Sequence, residues 1–285
     1  MSTIKSFAYK LLGERYTRLA FLRRDIQTRV YTLVHPYRYC PKRYGDCFIN
    51  GKPSYFYNDK VLEKVDRVIY VFWTGGNEIT PNRLQGIKSL EEVSGVKVQL
   101  ITPKNLSEYI VDEDPLPEAY QYLSFVHRSD FLRGYFMYHH GGGYADIKTF
   151  YQSWLPAFDK LDASDAYVLG YPEVGWKGAK HDGMKNMALA HDLGVYWSLL
   201  IGNGAFICRP HTRFVAEWYT TSRRRLISYT EQLRQHPAKD AFGTNEDYPL
   251  PWECLQGAIF HPMCLKYHDR LLKDKALMPS FKNYR

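Results

Sequence analysis

The chain has 285 residues, of which 45% are hydrophobic and 16% aromatic, a globular composition that excludes a disordered chain. No apolar run reaches the roughly 18 residues of a membrane-spanning helix, and the early charges, without a compact apolar stretch or small-residue cleavage site, predict no signal peptide. The net charge of +8 is local: Met1–Gly45 carries ten Lys and Arg against Glu14 and Asp25, so the rest of the chain balances to zero.

From the N-terminus, Ile4, Phe7, Leu11, Leu19, Leu22, Ile26, Val30 and Leu33 recur mostly at spacings of three and four, broken around Arg15. This pattern predicts an amphipathic helix. Lys5, Lys10, Arg18, Arg23, Arg24 and Arg29 fall mostly off the stripe. Two uses fit such a helix. It lies on an anionic membrane surface with its apolar side down, or it packs on the rest of the chain and leaves a solvated basic face. Nucleic acid is not an expected partner, because nothing after residue 45 extends the basic patch. Residues 35–65, rich in Tyr, Pro, Gly and Lys, read as a connector; the domains expected are an extension over 1–65 and a main domain over 66–285. The five cysteines (40, 47, 208, 254 and 264) lack CxxC spacing and are expected to be reduced thiols in a cytoplasmic protein.

In the main domain, "RVIYVFWTGG" (67–76) reads as a buried strand closed by two glycines. Thr80-Pro81 opens a helix that runs to Ser94-Gly95, and residues 96–102 form the next strand. Strand, helix and strand in this order make a βαβ unit and predict a parallel sheet, with a ligand beyond the carboxyl ends of the strands. Pro117 to His140 reads as one long helix on which Asp130 and Arg133, three apart, share a face. Gly141–Gly143 stop it, and "YADI" (144–147) is a short strand delivering Asp146 to its carboxyl end. Residues 165–172 predict a strand, 173–194 an irregular loop containing His181, Asp182, His191 and Asp192, and 203–210 a further strand entered through an Asn-Gly turn. His211 to about Gln235 predicts a helix with Arg223–Arg225 on its surface, followed by the one-sided apolar run "PWECLQGAIFHP" (251–262).

The ordered set of WTGG after a strand, SDxxR (129–133) and GG-x-Y-x-D (141–146, within "HHGGGYADIKTF") resembles the GT-A glycosyltransferases of capsular polysaccharide synthesis and related mannosyltransferases. The sugar-binding parts of glucosylating toxins look similar. The resemblance is firmest over 66–150 and continues more loosely to 248–262. It implies an α/β fold, a GT-A-like Rossmann-type mixed sheet flanked by helices, here with a basic helical N-terminal extension. It further implies that Phe72, Trp73, Thr74 and Gly75 border the nucleotide, that Asp130 binds donor hydroxyls, and that Arg133 stands by the donor sugar and diphosphate. Tyr144 would line the pocket, Asn203 and Gly204 would touch the donor, and Asp146 would be the first acid of a DxD motif. In that motif carboxylates hold Mn²⁺ or Mg²⁺ across the diphosphate, because the departing nucleoside diphosphate gains negative charge.

Lys148 stands where the second acid would be. An ammonium has no lone pair for a metal, so it cannot be a ligand. Three arrangements are open. Lys148 itself sits on the diphosphate with Arg133 and replaces the divalent metal; or Asp146 binds a metal with His261, His268 or Asp269 while Lys148 points away; or the strand ends at Ile147 and Lys148 is a solvated loop residue. Strand alternation puts Asp146 and Lys148 on one side and favours the first. Trp252 is a candidate for stacking on the acceptor, and Asp247 and Glu253 are candidate bases if the reaction inverts. The expected activity is transfer of a hexosyl unit from a UDP- or GDP-sugar to a glycan or lipid-linked glycan hydroxyl, peripherally at the inner face of a membrane. The alternatives are a non-catalytic nucleotide-sugar or glycan binder and a membrane-surface scaffold.

Overall fold

The computed structural model describes residues 3–60, 62–179 and 184–282, with side chains from residue 19 onward. Among these, ten α-helices occur in chain order: α1 (Thr3–Val34), α2 (Pro41–Tyr44), α3 (Pro81–Ser94), α4 (Phe125–His139), α5 (Leu155–Asp162), α6 (Trp176–Ala179), α7 (Met187–Val195), α8 (Arg213–Ser228), α9 (Thr230–Gln235) and α10 (Gly257–Lys266). Six strands accompany them: β1 (Val68–Phe72), β2 (Lys97–Ile101), β3 (Gly142–Ala145), β4 (Val168–Pro172), β5 (Ile201–Cys208) and β6 (Leu271–Lys273).

The strands form a single mixed sheet in the order β2-β1-β3-β5-β4-β6. β1 runs parallel to β2 and β3, as the βαβ spacing predicts, whereas β5 is antiparallel to both β3 and β4. Side-chain alternation divides two cores. Tyr70, Phe72, Tyr144 and Phe206 face α4, α8 and α10 in one. Ile69, Val71, Ala145, Ala205 and Ile207 face α3 and α5 in the other. The fold is therefore a mixed α/β sheet flanked by helices.

Local chemistry explains most boundaries. α3 has Pro81 in its first turn and stops at Gly95, whose φ of 74° is a left-handed conformation open to glycine. The single helix expected over 117–140 is instead divided. A 3₁₀ turn covers Glu118–Tyr122, and α4 starts afresh where the Ser124 hydroxyl accepts from the His127 amide at 3.2 Å. Gly141 and Gly142, at φ 63° and 84°, turn the chain directly into β3, so two of the predicted stop glycines belong to the strand, which ends before Asp146. β5 starts at Ile201, placing Asn203 and Gly204 inside a strand and not in a turn. The helix expected over 211–235 breaks at Tyr229 into α8 and α9. On it, Arg223 pairs with Asp114 at 3.2 Å and Arg225 donates to the Cys254 carbonyl at 2.8 Å, so these two tie elements together and are not free surface charges.

The segment 173–194 is also more regular than its Gly, Lys and His content indicates, since it contains α6 and α7. Asp192 is buried on α7 and takes a two-pronged contact from Arg43, at 2.6 and 2.7 Å, which gives it a structural role. His191 contacts the same carboxylate; His181 and Asp182 lie outside the described residues. With Tyr37, Tyr44 and Ile49 in the larger core, the presumed connector packs into the main body. All five cysteines are free.

α1 rests on the body through an unexpected face. Phe21, Asp25, Thr28 and Thr32 are half-buried, and the Trp197 indole donates to the Thr28 hydroxyl at 2.7 Å. Arg24 and Arg29 lie over the Trp176 and Trp197 rings, at 3.8 and 4.5 Å, while Leu19, Leu22, Ile26, Val30 and Leu33 point away. No described helix is long and apolar enough to cross a membrane.

Candidate functional site

The site lies where the parallel half of the sheet meets its antiparallel half. α4 packs over the sheet and presents Asp130 and Arg133, one turn apart, towards the end of β3. Arg133 is the hub. Its Nη2 is 3.3 Å from Asp130 and 3.2 Å from Asp146, its Nη1 donates to the Asn203 carbonyl at 3.1 Å, and its guanidinium covers the Tyr144 ring at 4.5 Å. The Arg133 Nε is buried without a hydrogen-bond partner among the described residues. A buried, unmet guanidinium donor is a position that calls for an ordered water, an ion or a functional role.

Asp146 is shared among three donors. Tyr144 donates its hydroxyl at 2.7 Å, Lys148 its ammonium at 2.9 Å, and Arg133 stands opposite. Burial acts to raise its pKa, but Arg133 and Lys148 prevail and hold the carboxyl below its ordinary value. Asp130 moves the other way. Burial pushes its carboxyl up, with Arg133 and His127 opposing and Asp146 and Glu253 adding to the rise. Two carboxylates a few ångströms from one arginine are thus tuned apart. Burial keeps the Tyr144 phenol neutral, its pKa well above the ordinary value.

Lys148 does not point away and is not a solvated loop residue, although the strand ends three residues earlier. Its side chain is only 11% exposed. The loop that carries it is clamped to α3: Arg83 donates to the Ile147 carbonyl at 2.6 Å, and Phe150 donates its amide to Ser89 at 3.2 Å. A Cβ on Gly86 would come within 3.1 Å of the Lys148 backbone, so glycine there lets the loop lie on the helix. From the far side, the Ser280 amide reaches the Thr149 carbonyl at 2.8 Å, and Phe281 lies 4.9 Å from the ammonium.

Gly204 completes the cradle. Its carbonyl accepts the Asp146 amide at 2.7 Å, and a Cβ on it would fall 2.9 Å from an Asp146 carboxylate oxygen and 3.3 Å from the Tyr171 hydroxyl. Sequence reasoning missed Arg83, Gly86 and Tyr171. A glycine in mid-helix was a readable signal for Gly86; Arg83 and Tyr171 gave none.

The remaining expected residues spread around this centre. Phe72 is a core residue, edge-on to Phe136 and tilted against Tyr144, with centroids 5.0 and 5.3 Å away. Trp73 donates its indole to the Asn77 carbonyl at 2.7 Å, and Thr74 its hydroxyl to the Phe125 carbonyl at 2.6 Å. Gly75 is packed against the Phe125 ring. These residues fix the loop after β1 against α4. Trp252 is 56% exposed, and its carbonyl takes a 3.2 Å contact from His127, one turn before Asp130. Asp247 lies at the surface, where Asn245, Lys239 and His236 hold it at 2.7 to 3.2 Å.

The set of metal ligands considered from the sequence is not assembled. His261 is buried 3.2 Å from Glu173, His268 faces the Leu265 carbonyl at 3.2 Å, and Asp269 follows it in the same 3₁₀ turn. Among the described residues no three His, Cys, Asp or Glu side chains gather as a metal site. Asp146, committed to two cations and a phenol, does not suit a hard divalent ion, which needs several free oxygen donors.

Such a fold, with a cluster of charged side chains just beyond the end of β3, places the chain in the mixed α/β class whose ligands bind beyond strand termini. Residues 43–176 match the family model described as "Capsular polysaccharide synthesis protein". That span includes Asp130, Arg133, Tyr144, Asp146 and Lys148 but ends before β5, which carries Asn203 and Gly204. Searches of curated proteins and of solved structures gave no match.

Proposed function

We propose that the protein is a glycosyltransferase of the GT-A type that moves a hexosyl unit from a UDP- or GDP-sugar to a glycan hydroxyl in capsular polysaccharide or O-antigen synthesis. The observation that carries this reading is the Asp146 carboxylate held between Arg133 and Lys148, beside an unmet Arg133 Nε. Asp146 neutralises and orients two cations, as one acid of a degenerate DxD motif. The donor diphosphate is held by the Arg133 guanidinium, whose Nε is unmet, and by the charge of the Lys148 ammonium. As the sugar–phosphate bond breaks, charge builds on the leaving phosphate, and preorganised cations are most effective against charge that develops in the transition state. No step needs a divalent ion. Asp130 is set to bind donor hydroxyls, and the exposed Trp252 with the adjacent Glu253 supplies the acceptor side.

A panel of UDP- and GDP-hexoses tests the reading by product release and calorimetry. Slow donor hydrolysis or transfer with one nucleotide class is expected. Tight binding without any turnover would indicate the non-catalytic binder, and no affinity for any nucleoside diphosphate would indicate a scaffold. Gly204→Ala sharpens the test. The added methyl would stand 2.9 Å from an Asp146 carboxylate oxygen and disturb its contacts with Arg133 and Lys148, so turnover should fall about a hundredfold and the melting temperature by a few degrees.

A further inference from the structure

The exposed face of α1 is the largest feature that the cleft leaves unexplained. Leu19, Leu22, Ile26, Val30 and Leu33 are each between 54% and 82% exposed. Their spacings of three and four align them in one row along the helix. Soluble surfaces tolerate scattered apolar residues, but a continuous row marks a docking face. The helix cannot turn this row inward, because its opposite side is engaged by Trp176 and Trp197 through Arg24, Thr28 and Arg29. The sequence upstream continues the same spacing with Ile4, Phe7 and Leu11.

We propose that α1 docks this row onto an anionic lipid bilayer and so holds the protein at a membrane surface. Charge decides between the candidate occupants. Residues 1–45 carry the whole +8 of the chain, so pairing with a second copy would bring two strongly positive segments together, whereas anionic headgroups attract them. Geometry agrees. Arg23 stands about 60° from Ile26 round the helix, where its side chain reaches headgroups while the apolar row enters the acyl boundary. The proposal does not depend on what the cleft binds.

Flotation of the full chain with vesicles tests it. Vesicles of phosphatidylcholine containing phosphatidylglycerol should bind the protein, with binding roughly tenfold weaker on pure phosphatidylcholine or in high salt. The surface variant Leu22→Glu/Ile26→Glu should lose roughly tenfold or more in affinity, and Arg23→Glu should lose less, with circular dichroism unchanged in both. Equal binding by Leu22→Glu/Ile26→Glu and wild type would overturn the proposal. So would a wild-type protein that ignores vesicles and forms a dimer, by light scattering, that the double variant dissolves; the occupant would then be a second copy.

Discussion

Arg133→Ala is expected to abolish measurable transfer and to lower the melting temperature by several degrees. Arg133 is 12% exposed and stands between Asp130 and Asp146, at 3.3 and 3.2 Å. Removing it leaves two carboxylates facing each other in a cleft with Lys148 as the remaining nearby cation. Breaking a buried charge pair in this way costs about 3–5 kcal/mol, and each kcal/mol moves the midpoint of a domain this large by roughly 2–4 °C. Arg133→Lys separates the two effects. It keeps the charge, and with it much of the stability, but loses the fork that reaches Asn203 and covers Tyr144. Turnover should still fall at least about a hundredfold. Differential scanning fluorimetry and initial rates check both variants, and unchanged turnover in Arg133→Lys would remove the guanidinium from the mechanism.

Lys148→Ala should leave the fold intact and cut turnover by about two to three orders of magnitude. At an effective dielectric of about 20, a unit charge about 4 Å away contributes about 4 kcal/mol, close to a thousandfold in rate. The residual exposure of Lys148 and Asp146, at 11% and 21%, reduces that figure. Lys148→Asp is more discriminating, because it places a second carboxylate beside Asp146. It should be inactive in chelator and regain part of its turnover with Mn²⁺, since carboxylates can supply the oxygen ligands that a lysine lacks. Steady-state kinetics with and without added metal provide the readout.

How much of this was legible in the sequence varies with the distance over which the residues interact. The helix from Pro81 to Ser94 could be read from its own ends, Thr80-Pro81 and Gly95, because those signals are local. Asp130 and Arg133 could be paired from their spacing for the same reason. Strand alternation put Asp146 and Lys148 on one side, but their contact arises differently: β3 has ended, and Arg83, Gly86 and Ser89 hold the loop in place. Those are tertiary contacts, and no local pattern encodes them. Tyr171 joins the cleft only through the antiparallel register of β4 on β5, which no spacing in the sequence reveals. The break before α4 was missed because the apolar residues on both sides disguise a serine cap. The periodicity of α1 identified its helix and, from Leu19 to Leu33, its apolar row. It could not tell which side faces the body, since that depends on two tryptophans more than 140 residues away, one of which donates to Thr28.

The central claim is that Arg133 and Lys148, gathered by Asp146, do the work of a metal on the donor diphosphate. The most direct test is wild-type turnover of the preferred nucleotide sugar before and after exhaustive treatment with EDTA, beside Lys148→Ala. Full activity in chelator together with an inactive variant is the predicted result. Loss of wild-type activity in EDTA, restored by Mn²⁺ or Mg²⁺, with near-normal turnover by Lys148→Ala, would contradict it.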